Sequence, residues 1–167
     1  MSTTVQARAP IPLSREACWQ KLRDLTLAKH YVPGLTGSVL TTERTEGVGA
    51  SRVVTHRLFG EMDETVVEWN EGKGFTVRLH KGDGPALPFR EAFFRYALEP
   101  GEGGCEIRTS MTWTLPGGAI GRLLDALVVK RVMFGNVRDV AVSLAEYYRT
   151  GTSTPESELP RLRPHAL

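Results

Sequence analysis

Cysteine is almost missing from this chain: Cys18 and Cys105 are the two in 167 residues. They form no metal-ligand spacing, and two unpaired thiols fit a reducing compartment better than a disulfide scaffold. An excess of one charge is missing too. The 21 basic and 19 acidic residues leave +2, too little to point to nucleic acid or an acidic membrane surface. No apolar run reaches the roughly 20 residues of a membrane span, so stable insertion is not expected. The opening MSTTVQARAPIPL lacks the basic region and apolar core of a signal peptide, which makes the cytoplasm the default expectation. No phosphate loop is visible, since Gly101-Glu102-Gly103-Gly104 lies in a hairpin rather than before a helix. Nor is there a nucleophile–base–orienter set. No metal or cofactor is expected.

What is present is the composition of one globular domain, 41% hydrophobic and 24% charged, large enough for a core or an enclosed cavity. Val5 to Ile11 reads as a short edge strand. Ser14 is a good N-cap, with Glu16 in the first turn and Ala17, Cys18, Leu22 and Leu25 at roughly helical spacing behind it. A second helical turn to His30 or Tyr31 ends at Pro33-Gly34. From residue 35 to 115 the period becomes two, with strands expected at 36–45, 49–59, 61–70, 74–81, 88–99 and 105–115. Short Gly-rich breaks between them indicate an antiparallel meander, because parallel crossovers need a dozen residues or more.

Residues 120–148 then predict one long helix, too long to stand alone in water at this composition. Val129, Val132, Met133, Asn136, Val137, Val140 and Leu144 fall on one face, which must lie on the sheet. Leu123, Leu124, Leu127 and Val128 make the first half apolar almost all round. The domain is expected to span 1–149, and 150–167, which loses periodicity, reads as a flexible tail.

The pieces "IPLSREACWQKLRDL", "GVGASRVV", "ETVVEWNEGKGFTVRL", "GGCEIRTSMTWTLPG" and "LAEYY" resemble, in order and spacing, the START-like (SRPBCC) superfamily and within it the bacterial polyketide cyclase/dehydrase-like group. The resemblance implies an α+β helix-grip fold: a curved seven-stranded antiparallel sheet around the long C-terminal helix, with two short helices after the first strand. It also implies an apolar cavity between sheet and helix, with Val132, Asn136 and Val140 on its helical wall and Tyr31 near its mouth.

Alignment with the receptor branch of the superfamily turns Glu64 and Val66 inward, and with them the set Arg52, Val54, His56 and Leu58. The same reading lines the cavity with Phe75, Val77, Leu79, Phe89, Glu91, Phe93, Arg95, Thr109, Met111 and Trp113, joined by Met133 from the helix. A one-residue change of register would swap each set to the other face. Such a lining suits a mostly apolar ligand with a few polar groups. Asn136 offers a donor and an acceptor there, or is a satisfied core amide. Candidate acids and bases are His56, Glu64, Glu91, Arg95 and Tyr31, although an isolated histidine is more often a polar wall group.

Two functions remain. One is binding or transport of a small hydrophobic molecule such as a lipid, isoprenoid, polyketide or aromatic compound. The other is aromatase/cyclase chemistry, which needs a proton donor or base close to the bound chain. A protein-interaction role would need an exposed apolar patch, and only Leu123 to Val128 could supply one. Oligomeric state is not legible from these residues.

Overall fold

A computed structural model describes residues 1–166. Strand β1 (Thr3–Ile11) is followed by helix α1 (Arg15–Leu22), whose N-terminus is capped by Ser14 Oγ accepting the Ala17 N–H at 3.1 Å. Asp24 caps a single 3-10 turn (Leu25–Leu27) in the same manner, through Thr26 N–H at 3.0 Å. Helix α2 (Ala28–Tyr31) then stops at Pro33 and Gly34, whose positive φ of 82° turns the chain into the sheet. The remaining strands are β2 (Leu35–Leu40), β3 (Ser51–His56), β4 (Gly60–Asn70), β5 (Gly74–Lys81), the two-residue β6 (Gly84–Pro85), β7 (Glu91–Gly101) and β8 (Gly104–Thr114). Every pairing is antiparallel, in the order β1-β8-β7-β5-β4-β3-β2, with β6 beside β5. Consecutive strands β1 and β2 are thus opposite edges, and α1 and α2 carry the chain across the inner face between them. This is the α+β helix-grip arrangement that the resemblance implies, with β6 as a small addition.

Strand registers place inward side chains in rows across the sheet. One row runs Leu40, Arg52, Glu64, Leu79; a second runs Val66, Val77, Phe94, Met111, Val5; a third runs Trp69, Phe75, Tyr96, Thr109, Ala7. A bulge in β4 makes the third row possible. Val66 pairs with Val77 and Glu68 with Thr76, so Val67 is the extra residue, and from there the inward parity changes. Glu68, four residues after Glu64, therefore lies on the opposite face and accepts from Thr76 Oγ1 at 2.9 Å, while Trp69 turns in against Phe75 with ring centroids 5.6 Å apart.

The long helix runs as α3 (Gly118–Leu124), a π-turn (Asp125–Val129) and α4 (Lys130–Thr150). α4 packs mainly on β1 and β8. Its buried arc contains Val137, Val140, Ala141, Leu144 and Tyr148, with Met133 half-buried at its start. Asn136 and Val132 are exposed. The apolar stripe read from the sequence was centred to one side of the arc that meets the sheet, and these two residues fall on the flank that turns to water.

The end of the chain departs further from expectation. Instead of a free tail, residues 156–165 make short helical turns, including α5 (Leu159–Leu162), and bury Leu159 and Leu162. Arg163 holds Asp139 of α4 through two bonds of 2.9 Å, and Arg57 holds Glu156 at 2.9 and 3.1 Å. Ion pairs between distant segments leave no signature in local periodicity.

Candidate functional site

The polar centre of the interior is Arg52, on β3, facing Glu64, directly opposite on β4. Arg52 Nε donates to Glu64 Oε2 at 2.7 Å, and Nη2 reaches the same oxygen at 2.6 Å. Nη1 donates to the Leu25 carbonyl at 2.6 Å, which also accepts the Ser38 hydroxyl at 2.9 Å. The side chains are 2% and 11% exposed. An ion pair this dry pays a large desolvation cost that its attraction only partly returns, so an apolar pair of similar size is often at least as stable. Burial by itself would lower the Arg52 pKa. Glu64 and the phenols of Tyr31 and Tyr96 outweigh it and raise the value above that of a free guanidinium, so Arg52 stays charged.

Two phenols, Tyr31 and Tyr96, lie close to this pair, and Tyr148 stands behind Tyr31. Tyr31, from α2, lies with its ring centroid 6.0 Å from Tyr96 of β7 and 6.2 Å from Tyr148 of α4, all three buried. The Tyr31 and Tyr148 hydroxyls are buried and make no hydrogen bond among the described residues, although the Arg52 guanidinium lies near the Tyr31 oxygen. An unspent buried donor costs about 1–3 kcal/mol in a closed interior. Burial raises the pKa of all three phenols, most strongly for Tyr96 and Tyr148; for Tyr31 the Arg52 charge works against that rise. Each is a neutral O–H donor near neutral pH. Aromatic contacts extend the wall: Tyr96 meets Phe75 at 5.2 Å and Phe94 at 4.8 Å, and Trp69 meets Trp19 at 5.0 Å. Phe94, Met62, Phe89 and Met133 are only partly buried where the inner face runs away from α1 and α2. The cluster thus sets phenol O–H donors beside aromatic groups and leaves Glu64 Oε1 without a bonded partner among the described residues.

Of the residues singled out in the sequence, Tyr31, Val54, Glu64, Val66, Phe75, Val77, Thr109, Met111, Trp113 and Val140 are buried, and Phe89 and Met133 partly so. Two of them are already engaged. Thr109 Oγ1 donates to the Val137 carbonyl at 2.9 Å, and Trp113 Nε1 to Asp125 Oδ1 at 2.8 Å. Asp125 also accepts from the Thr3 hydroxyl, so the π-turn is clamped to β1 and β8.

The β7 assignment is corrected. Glu91 and Arg95 are exposed and Phe93 shares their outer face, because Ala92, Phe94, Tyr96 and Leu98 point inward. This register keeps both charges in water and buries an entirely apolar set save for one phenol. Leu58 lies exposed in the β3–β4 turn rather than on the strand. His56, at the end of β3, packs over Gly34 and against Phe59 at 4.6 Å, and its Nδ1 accepts the Leu58 N–H at 3.1 Å. Burial, with Arg57 adding to it, lowers its pKa, so it is a neutral structural group outside the Arg52 cluster. With Asn136 and Val132 also exposed, the helix contributes Tyr148 to the site instead of the amide.

Tyr96, Tyr148, Trp69 and Phe94 lie outside the set expected from sequence, whereas Arg52, expected to point inward with Val54, does so and takes the polar role expected of His56. Trp69 was hidden by the bulge.

Two concavities lie elsewhere. One of about 170 Å³ is bordered by Lys29, His30, Gly34, Arg57 and Thr154, and one of about 280 Å³ by Pro10, Pro12, Arg149 and His165.

The family described as polyketide cyclase / dehydrase and lipid transport matches residues 2–149. No curated protein matches the chain in sequence. Among solved structures it is similar to Ara h 8.0201, with a TM-score of 0.57 and 14% identity over 87% of this chain and 99% of the other. It is also similar to the di-domain ARO/CYC StfQ from the steffimycin biosynthetic pathway, with a TM-score of 0.69 and 14% identity over 90% of this chain and 51% of that one. At such identity these likenesses speak for the fold alone.

Proposed function

Since the chain belongs to the polyketide cyclase / dehydrase and lipid transport family, we propose that it binds a small, mainly apolar molecule carrying an oxygen function, of lipid, isoprenoid, polyketide or aromatic type. Its apolar part lies along the rows of Val66, Val77, Phe94 and Met111 and of Trp69, Phe75 and Tyr96. Its oxygen is read by Tyr31 and by the Arg52–Glu64 pair. The observation that carries this reading is the buried, unpartnered Tyr31 hydroxyl beside a dry ion pair. A fold under selection for stability alone gains nothing from either.

Native mass spectrometry of protein purified from its own host identifies a retained molecule. Titration of that class into wild type and Tyr31→Phe then tests the site. The variant should bind about five- to tenfold more weakly, the worth of one hydrogen bond, with undiminished stability. Equal affinity in both proteins for every compound bound would remove Tyr31 from the site and the reading with it.

A second reading, cyclase-type catalysis, is favoured by one observation: a phenol that stays protonated lies near Arg52, with the unoccupied oxygen of Glu64 as a proton acceptor. It requires a product from a poly-β-ketone substrate, with a loss of about a hundredfold or more in Tyr31→Phe or Glu64→Gln, as for a general acid or base.

A further inference from the structure

The start of the long helix leaves a different feature unexplained. Ile120, Leu123, Leu124, Leu127, Val128 and Val132 are each more than half exposed. Isolated apolar residues on a surface are ordinary, but six large ones on one helical segment are a patch of the kind that marks an interaction site. The segment is fastened on its inner side through Asp125, whose carboxylate takes the Trp113 and Thr3 donors. That contact has a second effect. Asp125 is the sole acidic residue between 118 and 138, and it is turned inward. Arg122, Lys130 and Arg131 are exposed. The outward surface is therefore apolar with cations and without a free carboxylate, although the whole chain carries only +2.

We propose that residues 118–134 dock this protein on an anionic lipid surface, with the helix lying in the plane of the interface. Apolar side chains enter the headgroup–acyl boundary while basic residues meet lipid phosphates, the arrangement of an amphipathic interfacial helix. No helix among the described residues is long and apolar enough to cross a membrane, so the contact is peripheral. A second copy of the chain fits the charges less well. Pairing two such helices antiparallel about Leu127 sets Arg122 of one copy near Lys130 and Arg131 of the other, and like charges at close range oppose association. The inference stands independently of the proposed interior ligand.

The test is flotation of the purified protein with phosphatidylcholine vesicles, with and without phosphatidylglycerol. The protein should float with the anionic vesicles and far less with the zwitterionic ones, and raised salt should weaken it. The double variant Leu124→Glu/Leu127→Glu, at exposed positions, should abolish flotation while retaining the wild-type circular dichroism. Arg122→Gln/Lys130→Gln/Arg131→Gln, which leaves the apolar face intact, should lower partitioning by about a hundredfold, at roughly fivefold per cation. No flotation with anionic vesicles, or flotation indifferent to both variants, overturns the proposal. A concentration-dependent dimer in sedimentation velocity that the leucine variant dissolves, with no vesicle binding, replaces the lipid surface by a second copy.

Discussion

The molecule has two ends that treat apolar side chains in opposite ways. Where α1 and α2 cross the sheet, Trp19, Tyr31, Leu144 and Tyr148 are buried, and even a charged pair is shut in with them. Where the long helix begins, Ile120, Leu124 and Leu127 face water and one carboxylate clamps the segment down. The exposed first half of that helix, 118–134, holds six Leu and Val residues and the buried second half, 135–150, only four. Hydropathy is therefore not what separates them. The second half has both β1 and α2 to lie against, whereas the first half is fastened to the end of the sheet through Asp125 and leaves its other side exposed. Burial belongs to the pair of surfaces, and a sequence shows only one of them at a time.

The largest effect is expected at the closed end. Arg52→Leu leaves the Glu64 carboxylate buried without its cation and should cost about 3–5 kcal/mol in urea unfolding, whereas Arg52→Met with Glu64→Leu should regain most of that loss. A single variant as stable as wild type would mean that water reaches Glu64 freely, and the contrast between the two ends would weaken. Next comes Leu144→Ala, which empties a fully buried site and should cost about 2–5 kcal/mol. Asp125→Ala sits at the boundary between the ends. It strips the Trp113 indole N–H of its acceptor, for about 1–3 kcal/mol, and hydrogen exchange of amides 118–129 should quicken while that of 137–148 does not. The smallest effect is expected for Leu127→Ala and Asn136→Leu. Both positions are exposed, so thermal melts should agree with wild type to within about 0.5 kcal/mol.

Much of the fold was legible because its signals are local. Period-two segments broken by Gly-rich turns named the meander, Ser14 named the start of α1, and a long Pro-free apolar stretch named the last helix. The site was legible only in part. Glu64, Tyr31, Phe75 and Val77 were found, yet the β7 set was read one residue out of register. The cue was present there, since moving Glu91 and Arg95 outward brings Ala92, Phe94, Tyr96 and Leu98 inward. Asn136 failed for a different cause: its place at the edge of the buried arc is decided by how the helix rolls on β1 and β8, which no pattern within the helix records. The end of the chain failed because Arg163–Asp139 and Arg57–Glu156 join segments far apart in sequence.

A strand is read in a frame of two, and Val67 shifts that frame. Glu64 and Trp69 are an odd number of positions apart, so an unbroken β4 would send them to opposite faces. With the bulge both reach the interior, one opposite Arg52 and the other against Phe75. Deleting Val67 removes that extra residue and leaves Glu64 and Trp69 four positions apart, so a regular β4 would keep both inside with the same partners on β5. The outward Val67 is thus the one residue of β4 that an unbroken ladder can do without, and its deletion should straighten the strand while leaving the polar reader and the aromatic wall on one face.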